Sequence, residues 1–186
     1  MTIIETERMN LMELNEDDMP ELRTILQDEL TMYAYEGAFN EDETRAWLEK
    51  QLSNYEIHGI GLWAAVLEEN NKMIGQCGLT WQKIENKSVI EVGYLFDRAY
   101  WHNGYAAEAA NSCVNYAFKV LECDEVFAIV RDTNLPSMNV AVRCGMTAKK
   151  RFIKHYRGVD MPHIAFSVKR EIEEIEEIEE IEEIEE

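Results

Sequence analysis

The residues Trp101-His102-Asn103-Gly104-Tyr105-Ala106 follow an apolar strand and open a strongly amphipathic helical run. A glycine-containing loop at such a junction can hold an anion. The first amides of a helix have no partner within it, and the helix dipole is positive at that end. Gly104 permits close backbone approach, and Ala106 adds little bulk. On composition alone, a glycine before a helix is more often only a turn. Two other groups bear on chemistry. Glu91 sits on the preceding strand, sharing a face with Val89 and Leu95, where burial would raise its pKa toward that of a general base. The alternative for Glu91 is a structural bond to a neighbouring element. Downstream, Asn134 is a natural N-cap and Ser137 places a hydroxyl in the first turn of the next helix. Glu108 lies in the first turn after the loop, where a carboxylate complements the dipole. The four cysteines, Cys77, Cys113, Cys123 and Cys144, form no C-x-x-C and no metal-ligand spacing, so no metal is expected.

These groups need a scaffold, and the periodicity supplies one. Thr2 to Leu14 mixes apolar and polar residues near alternation and reads as one edge strand. Asp17 or Asp18 caps a first helix with Pro20 in its first turn and a stripe of Met19, Leu22, Leu26 and Leu30. Asn40 with Glu43 resembles a capping box, opening a second helix to about Gln51. Thr31 to Phe39, between the two, is aromatic and irregular, fit either to line a cleft or to cover the core. Trp63 to Leu67, Met73 to Trp81 and Val89 to Phe96 are separated by short polar turns and form an antiparallel meander. Gly75 and Gly78 mark points where the strand bulges or something approaches closely. Ala110, Cys113, Val114, Ala117, Phe118 and Leu121 give the helix after the loop its apolar face. A strand at Val126 to Val130 follows, then a helix from Asn134 closed by Gly145. Two last strands flank a Tyr156 to Asp160 connection. Trp47, Trp63 and Trp81 are assigned to the core. The expected architecture is α+β, a mostly antiparallel central sheet with flanking helices and one embedded strand–loop–helix unit.

The chain of 186 residues carries a net charge of -19, but Glu171 to Glu186 alone hold eleven glutamates and no cation. Without them 26 acids face 18 bases, a net of -8. Such a body lacks the basic surface that nucleic acid requires. In that last segment isoleucine recurs every third residue, a period of neither helix nor strand, and it reads as a solvated tail beyond a single domain of residues 1–170. No apolar run approaches the roughly 20 residues of a membrane-spanning helix, and Met1 to Met9 lack a secretory signal. Reduced thiols in the cytoplasm are expected.

The run Glu91-Val92-Gly93-Tyr94-Leu95-Phe96-Asp97-Arg98-Ala99-Tyr100-Trp101-His102-Asn103-Gly104-Tyr105-Ala106-Ala107-Glu108-Ala109 resembles the acetyl-CoA motif of the GNAT N-acetyltransferase superfamily. Within it, the run is most similar to the Rim-type ribosomal-protein alanine N-acetyltransferases. Asn134-Leu135-Pro136-Ser137-Met138-Asn139-Val140, with Gly145-Met146, is similar to a second element of that branch. The resemblance implies a GNAT fold with acetyl-CoA as co-substrate. Tyr94, Leu95 and Phe96 would offer main-chain bonds to the pantetheine arm. The amides of His102, Asn103, Gly104, Tyr105 and Ala106 would hold the pyrophosphate. Asn134 would meet pantetheine near the thioester, and Ser137 would lie close to the sulfur. Glu91 is then the candidate base and Ser137 the candidate acid. Two departures stand out: Trp101 replaces the usual Gln or Arg, and Ala141 replaces the tyrosine that many relatives use as the acid. The implied reaction is direct attack of a primary amine on the thioester. The acceptor is a peptide N-terminus or, alternatively, a small amine such as a polyamine or aminoglycoside. A non-enzymatic acyl-CoA-binding protein is the third reading, and a homodimer is compatible with all three.

Overall fold

The computed structural model describes residues 1–171, so the expectation of a solvated Glu/Ile tail lies outside the described residues. The described chain forms one eight-stranded sheet. Its strands are β1 (Thr2–Glu5), β2 (Met9–Met12), β3 (Leu62–Leu67), β4 (Met73–Ile84), β5 (Lys87–Phe96), β6 (Glu125–Arg131), β7 (Thr147–Tyr156) and β8 (Val159–Lys169). They lie side by side in the order β1-β2-β3-β4-β5-β6-β8-β7. Every neighbouring pair is antiparallel except β5 and β6. That pair is joined in parallel across helix α3 (Tyr105–Lys119), because parallel neighbours need a long crossover.

Helices α3 and α4 (Leu135–Arg143) cover one face of the sheet. Ala109, Ala110, Cys113, Val114 and Ala117 of α3 are buried there against Cys77, Ile90, Val92 and Phe96. The small residues of α3 let the helix sit close to the strands. Helices α1 (Met19–Leu26) and α2 (Glu41–His58) cover the other face over β3 and β4, burying Leu22, Ile25, Leu26 and Leu48. Gly75 and Gly78 are close-approach positions as expected: a Cβ would meet the Phe96 ring at the first and the Gly61 carbonyl at the second.

Several local expectations are corrected. The N-terminal strand is two strands, because Thr6 turns the chain, its amide donating to the Met9 carbonyl at 2.8 Å. The first cap is Asn15, which forms a capping box with Asp18 around a 3-10 turn, while Asp18 makes no side-chain cap for α1. Helix α1 ends at Leu26, so Leu30 lies beyond it and is 61% exposed. Helix α2 does use the Asn40–Glu43 box but runs on to His58, stopped by Gly59 in the left-handed region. Trp63 is buried as expected, whereas Trp81 is 51% exposed, on the β4 segment that reaches past the helices. Strands β7 and β8 meet in a tight turn at Arg157 and Gly158, both at positive φ, a conformation suited to hairpins.

Candidate active site

The site begins where β5 and β6 part. Only Glu91 and Phe127 are in register between these strands. Beyond that point the Ile129 amide has no strand partner and donates instead to Glu91 Oε1 at 3.2 Å. The second carboxylate oxygen has only a long contact with the Thr80 hydroxyl, at 3.5 Å. Burial pushes the Glu91 carboxyl above its ordinary pKa, outweighing the Lys154 charge and the bonds from Ile129 and Thr80. The wedge therefore places at its apex a carboxylate anchored through one oxygen.

The end of β5 forms one wall. Tyr94, Leu95 and Phe96 pair with Cys77, Gln76 and Gly75 of β4 on one side, and have no register partner on β6. Tyr94 turns its main-chain groups to that free side, while those of Leu95 face Gln76 of β4, in step with the Asp97 amide that donates to the Ile74 carbonyl, so Leu95 does not offer the main-chain bonds expected of it. Phe96 is different, because its carbonyl already accepts from the Trp101 indole at 2.8 Å. Trp101, the departure from the family motif, thus ties the loop to the strand.

The loop itself is strained toward one shape. His102 has φ 64° and Gly104 φ 82°, both left-handed. The Asn103 side chain donates to the carbonyls of Tyr100 and Trp101. Helices α2 and α4 are capped by asparagine side chains, but α3 starts with no side-chain cap at all. Among the described residues, the amides of His102, Asn103, Gly104, Tyr105 and Ala106 have no acceptor. Five successive donors at the positive end of a helix are what a pyrophosphate needs. Glu108 is engaged elsewhere: it accepts from the Thr6 hydroxyl at 2.7 Å and pairs with Arg8.

Helix α4 supplies the opposite wall. Asn134 Oδ1 caps it by accepting from the Ser137 amide at 3.2 Å, and also accepts from the Tyr33 hydroxyl at 2.7 Å. The Asn134 side-chain NH2 has no acceptor among the described residues and remains a free donor. Ser137 Oγ donates to the Tyr94 hydroxyl at 3.1 Å, and Tyr94 in turn donates to the Ser137 carbonyl at 2.7 Å. Burial raises the Tyr94 phenol further above its ordinary value, so it stays protonated.

The segment Thr31 to Phe39 crosses from α1 to this wall. Arg131 of β6 donates to the Tyr33 carbonyl at 3.2 Å and pairs with Glu36. Arg157, in the β7–β8 turn, donates to the carbonyls of Tyr35 and Gly37 and pairs with Glu43. The Tyr35 ring packs edge-on against Phe39, Trp47 and Tyr156. Its hydroxyl is pushed up by burial and, to a smaller extent, by the charge of Glu91. Held by these two arginines, Thr31 to Phe39 forms a strap. The hydroxyls of Tyr33 and Tyr94 escaped the sequence reading, because their partners lie 101 and 43 residues away and no local pattern announces them. His155 is exposed and pairs with Asp160, while burial lowers the pKa of His163 and keeps it neutral.

An acetyltransferase (GNAT) domain pattern matches residues 8–147. The uncharacterized protein YkkB of Bacillus subtilis (strain 168) is 34% identical over 154 residues, spanning 82% of this chain and 90% of that one. The chain belongs to the GNAT acetyltransferase family. This GNAT acetyltransferase also superimposes on an acetyltransferase from Agrobacterium tumefaciens str. C58. The TM-score there is 0.76 and the identity 25%, with 90% of this chain and 94% of that one covered. Spermidine N-acetyltransferase from Vibrio cholerae, solved with CoA and spermine, shares the fold with a TM-score of 0.70 at 13% identity. That match covers 87% of this chain and 95% of the other. As a family member the protein is an acetyl-CoA-dependent N-acetyltransferase, which removes the non-enzymatic reading. Among the described residues no group of His, Cys, Asp and Glu is placed to hold a metal, and no helix is long and apolar enough to cross a membrane.

Proposed function

We propose that the enzyme transfers acetyl directly from acetyl-CoA to the primary amine of a small, slender acceptor. The observation that carries the transfer is the row of unpartnered amides at His102 to Ala106, set beside a wedge with Glu91 at its apex. Pyrophosphate on the loop directs pantetheine along the free edge at Tyr94, with the Asn134 NH2 as a further donor. The thioester then reaches the wedge. Glu91 takes a proton from the amine, directly or through water, the nitrogen attacks the carbonyl carbon, and the carbon–sulfur bond breaks to release CoA thiolate. The Ser137–Tyr94 hydroxyl pair is the nearest source of a proton for that sulfur, replacing the tyrosine absent at Ala141.

The strap favours a small amine over a peptide N-terminus. On this reading Thr31 to Phe39, tied down by Arg131, Arg157 and the Tyr33–Asn134 bond, narrows the acceptor side against the open groove a folded protein partner would need. The net charge of -8 on residues 1–170 suits a cationic acceptor. The resemblance to Rim-type enzymes supports the peptide reading. An acetyl-transfer screen over polyamines, aminoglycosides and N-terminal peptides decides between them. Turnover on small amines is expected, and turnover on peptides alone would overturn the acceptor assignment. The four free cysteines suit a reducing, cytoplasmic setting.

Ser137→Ala is expected to lower kcat by about tenfold or more, because a hydroxyl beside the leaving sulfur matters only as charge develops. Acetyl-CoA affinity should hold, since Ser137 uses its amide and not its hydroxyl to close the cap. Steady-state rates with saturating acetyl-CoA test this. A wild-type kcat would leave Ser137 as a plain first-turn residue.

A further inference from the structure

Arg8 lies in the turn between β1 and β2, far in sequence from the cofactor loop, yet its side chain ends there. Its backbone amide donates to Glu108 Oε1 at 2.8 Å and its Nε to Glu108 Oε2 at 2.7 Å. One terminal nitrogen donates to the Asn103 carbonyl at 3.1 Å, and the guanidinium covers the Tyr105 ring at 4.2 Å. The same nitrogen would lie 3.6 Å from a Cβ at Gly104. Three consecutive loop residues therefore face one cation. Burial works to raise the Glu108 carboxyl, but the Thr6 hydroxyl and the Arg8 side chain and amide outweigh it and keep Glu108 ionised.

We propose that Arg8 is a positioning residue for acetyl-CoA, setting the direction of the loop amides and neutralising Glu108 beneath them; this rests on the reading that the loop holds the pyrophosphate. The geometry follows from the planar trans peptide, in which the carbonyl of Asn103 and the N–H of Gly104 point opposite ways. Arg8 holds that carbonyl on the β1–β2 side, which turns the Gly104 N–H away from the protein, toward the ligand side of the loop. The stacked Tyr105 ring fixes the first residue of α3 in the same step. Without the Arg8 side chain the Asn103–Gly104 peptide loses this restraint, and Glu108, still bonded to the Thr6 hydroxyl and the residue-8 amide, is left without a counter-cation within the first helical turn. Both effects weaken an anionic ligand. The family's usual Gln or Arg at the loop is absent because Trp101 stands there, and a cation from the other end of the domain takes the position beneath the loop.

The test compares acetyl-CoA with S-acetylpantetheine, which lacks the pyrophosphate, by calorimetry and displacement on the full chain. Arg8→Ala should weaken acetyl-CoA by about tenfold or more, in keeping with loss of charge-assisted hydrogen bonds. It should leave S-acetylpantetheine unchanged. Arg8→Lys, which keeps the charge but not the fork, should fall between. Equal losses for both ligands would make Arg8 a merely structural residue and overturn the proposal. So would unchanged acetyl-CoA affinity in Arg8→Ala while Gly104→Val loses binding. Unchanged affinity in both variants would instead remove the loop reading on which the proposal rests. Should Arg8→Ala not fold, the Arg8→Lys pair of affinities carries the same comparison.

Discussion

Gly104→Val is expected to abolish measurable acetyl-CoA binding while the protein stays folded. The reason lies in the backbone. Gly104 has φ 82°, and the nearest atom to an added Cβ is the Arg8 nitrogen at 3.6 Å, so the protein leaves room for the atom itself. To the steric block that a branched Cβ would set against a phosphate is added a conformational one. A left-handed residue with a Cβ costs roughly 1–2 kcal/mol, and a β-branched one more. Valine therefore pulls the loop out of its shape, and the amides of Gly104, Tyr105 and Ala106 cease to converge. Each charge-assisted hydrogen bond contributes about 1.5–3 kcal/mol, so losing two of them weakens binding by about a hundredfold or more. The loop is at the surface and α3 stays anchored through Ala109, Ala110 and Cys113, which is why the fold survives. Calorimetry with acetyl-CoA, alongside a thermal melt, measures both halves. A folded Gly104→Val protein with wild-type affinity would place the cofactor elsewhere.

Glu91→Gln is expected to lower kcat/KM by about a hundredfold, at the lower end of what loss of a general base produces. The substitution is nearly isosteric, and the glutamine oxygen can still accept from Ile129, so the wedge keeps its shape. What disappears is basicity. Burial raises the Glu91 pKa, and a base works only when ionised. In the wild type, activity therefore rises with pH through that raised pKa, and the acidic limb sits above the range of a free carboxylate. In Glu91→Gln this limb moves or vanishes. Stability should hold or rise near neutral pH. A carboxyl whose pKa is raised by folding favours the fold while protonated, and loses that contribution as pH climbs through the folded pKa. Glutamine carries no charge to desolvate. A variant with a normal rate and an unaltered pH profile would mean that Glu91 only closes the gap between β5 and β6, with solvent as the base.

The elements around the site were legible because each is written in short-range terms. The capping box at Asn40 and Glu43, the N-cap at Asn134 and the apolar face of α3 are patterns of three or four residues; the two caps formed as read, and the face of α3 did so from Ala110 to Phe118, with Leu121 past the helix end at Lys119. Errors came where a local pattern met a tertiary boundary. Leu30 continues the stripe of α1 but falls after the helix has ended. Trp81 has the composition of a core residue but lies where no helix covers the sheet. The family resemblance likewise rests on contiguous runs, which is why it could be read before any coordinate.

By itself the sequence determined the fold class, the family and the position of the glycine-containing loop before α3, since hydrophobic period, glycine placement and helix starts are encoded within a few residues of one another. Only the tertiary structure decided how that loop is held and what surrounds Glu91. Arg8 reaches Asn103 across 95 residues, Tyr33 reaches Asn134 across 101, and Glu91 meets Ile129 because a parallel pair of strands diverges at that point. Such contacts depend on how strands and helices pack in space. Side-chain hydrogen bonds between distant segments leave no periodic trace in a single chain, because nothing in the local backbone requires either partner.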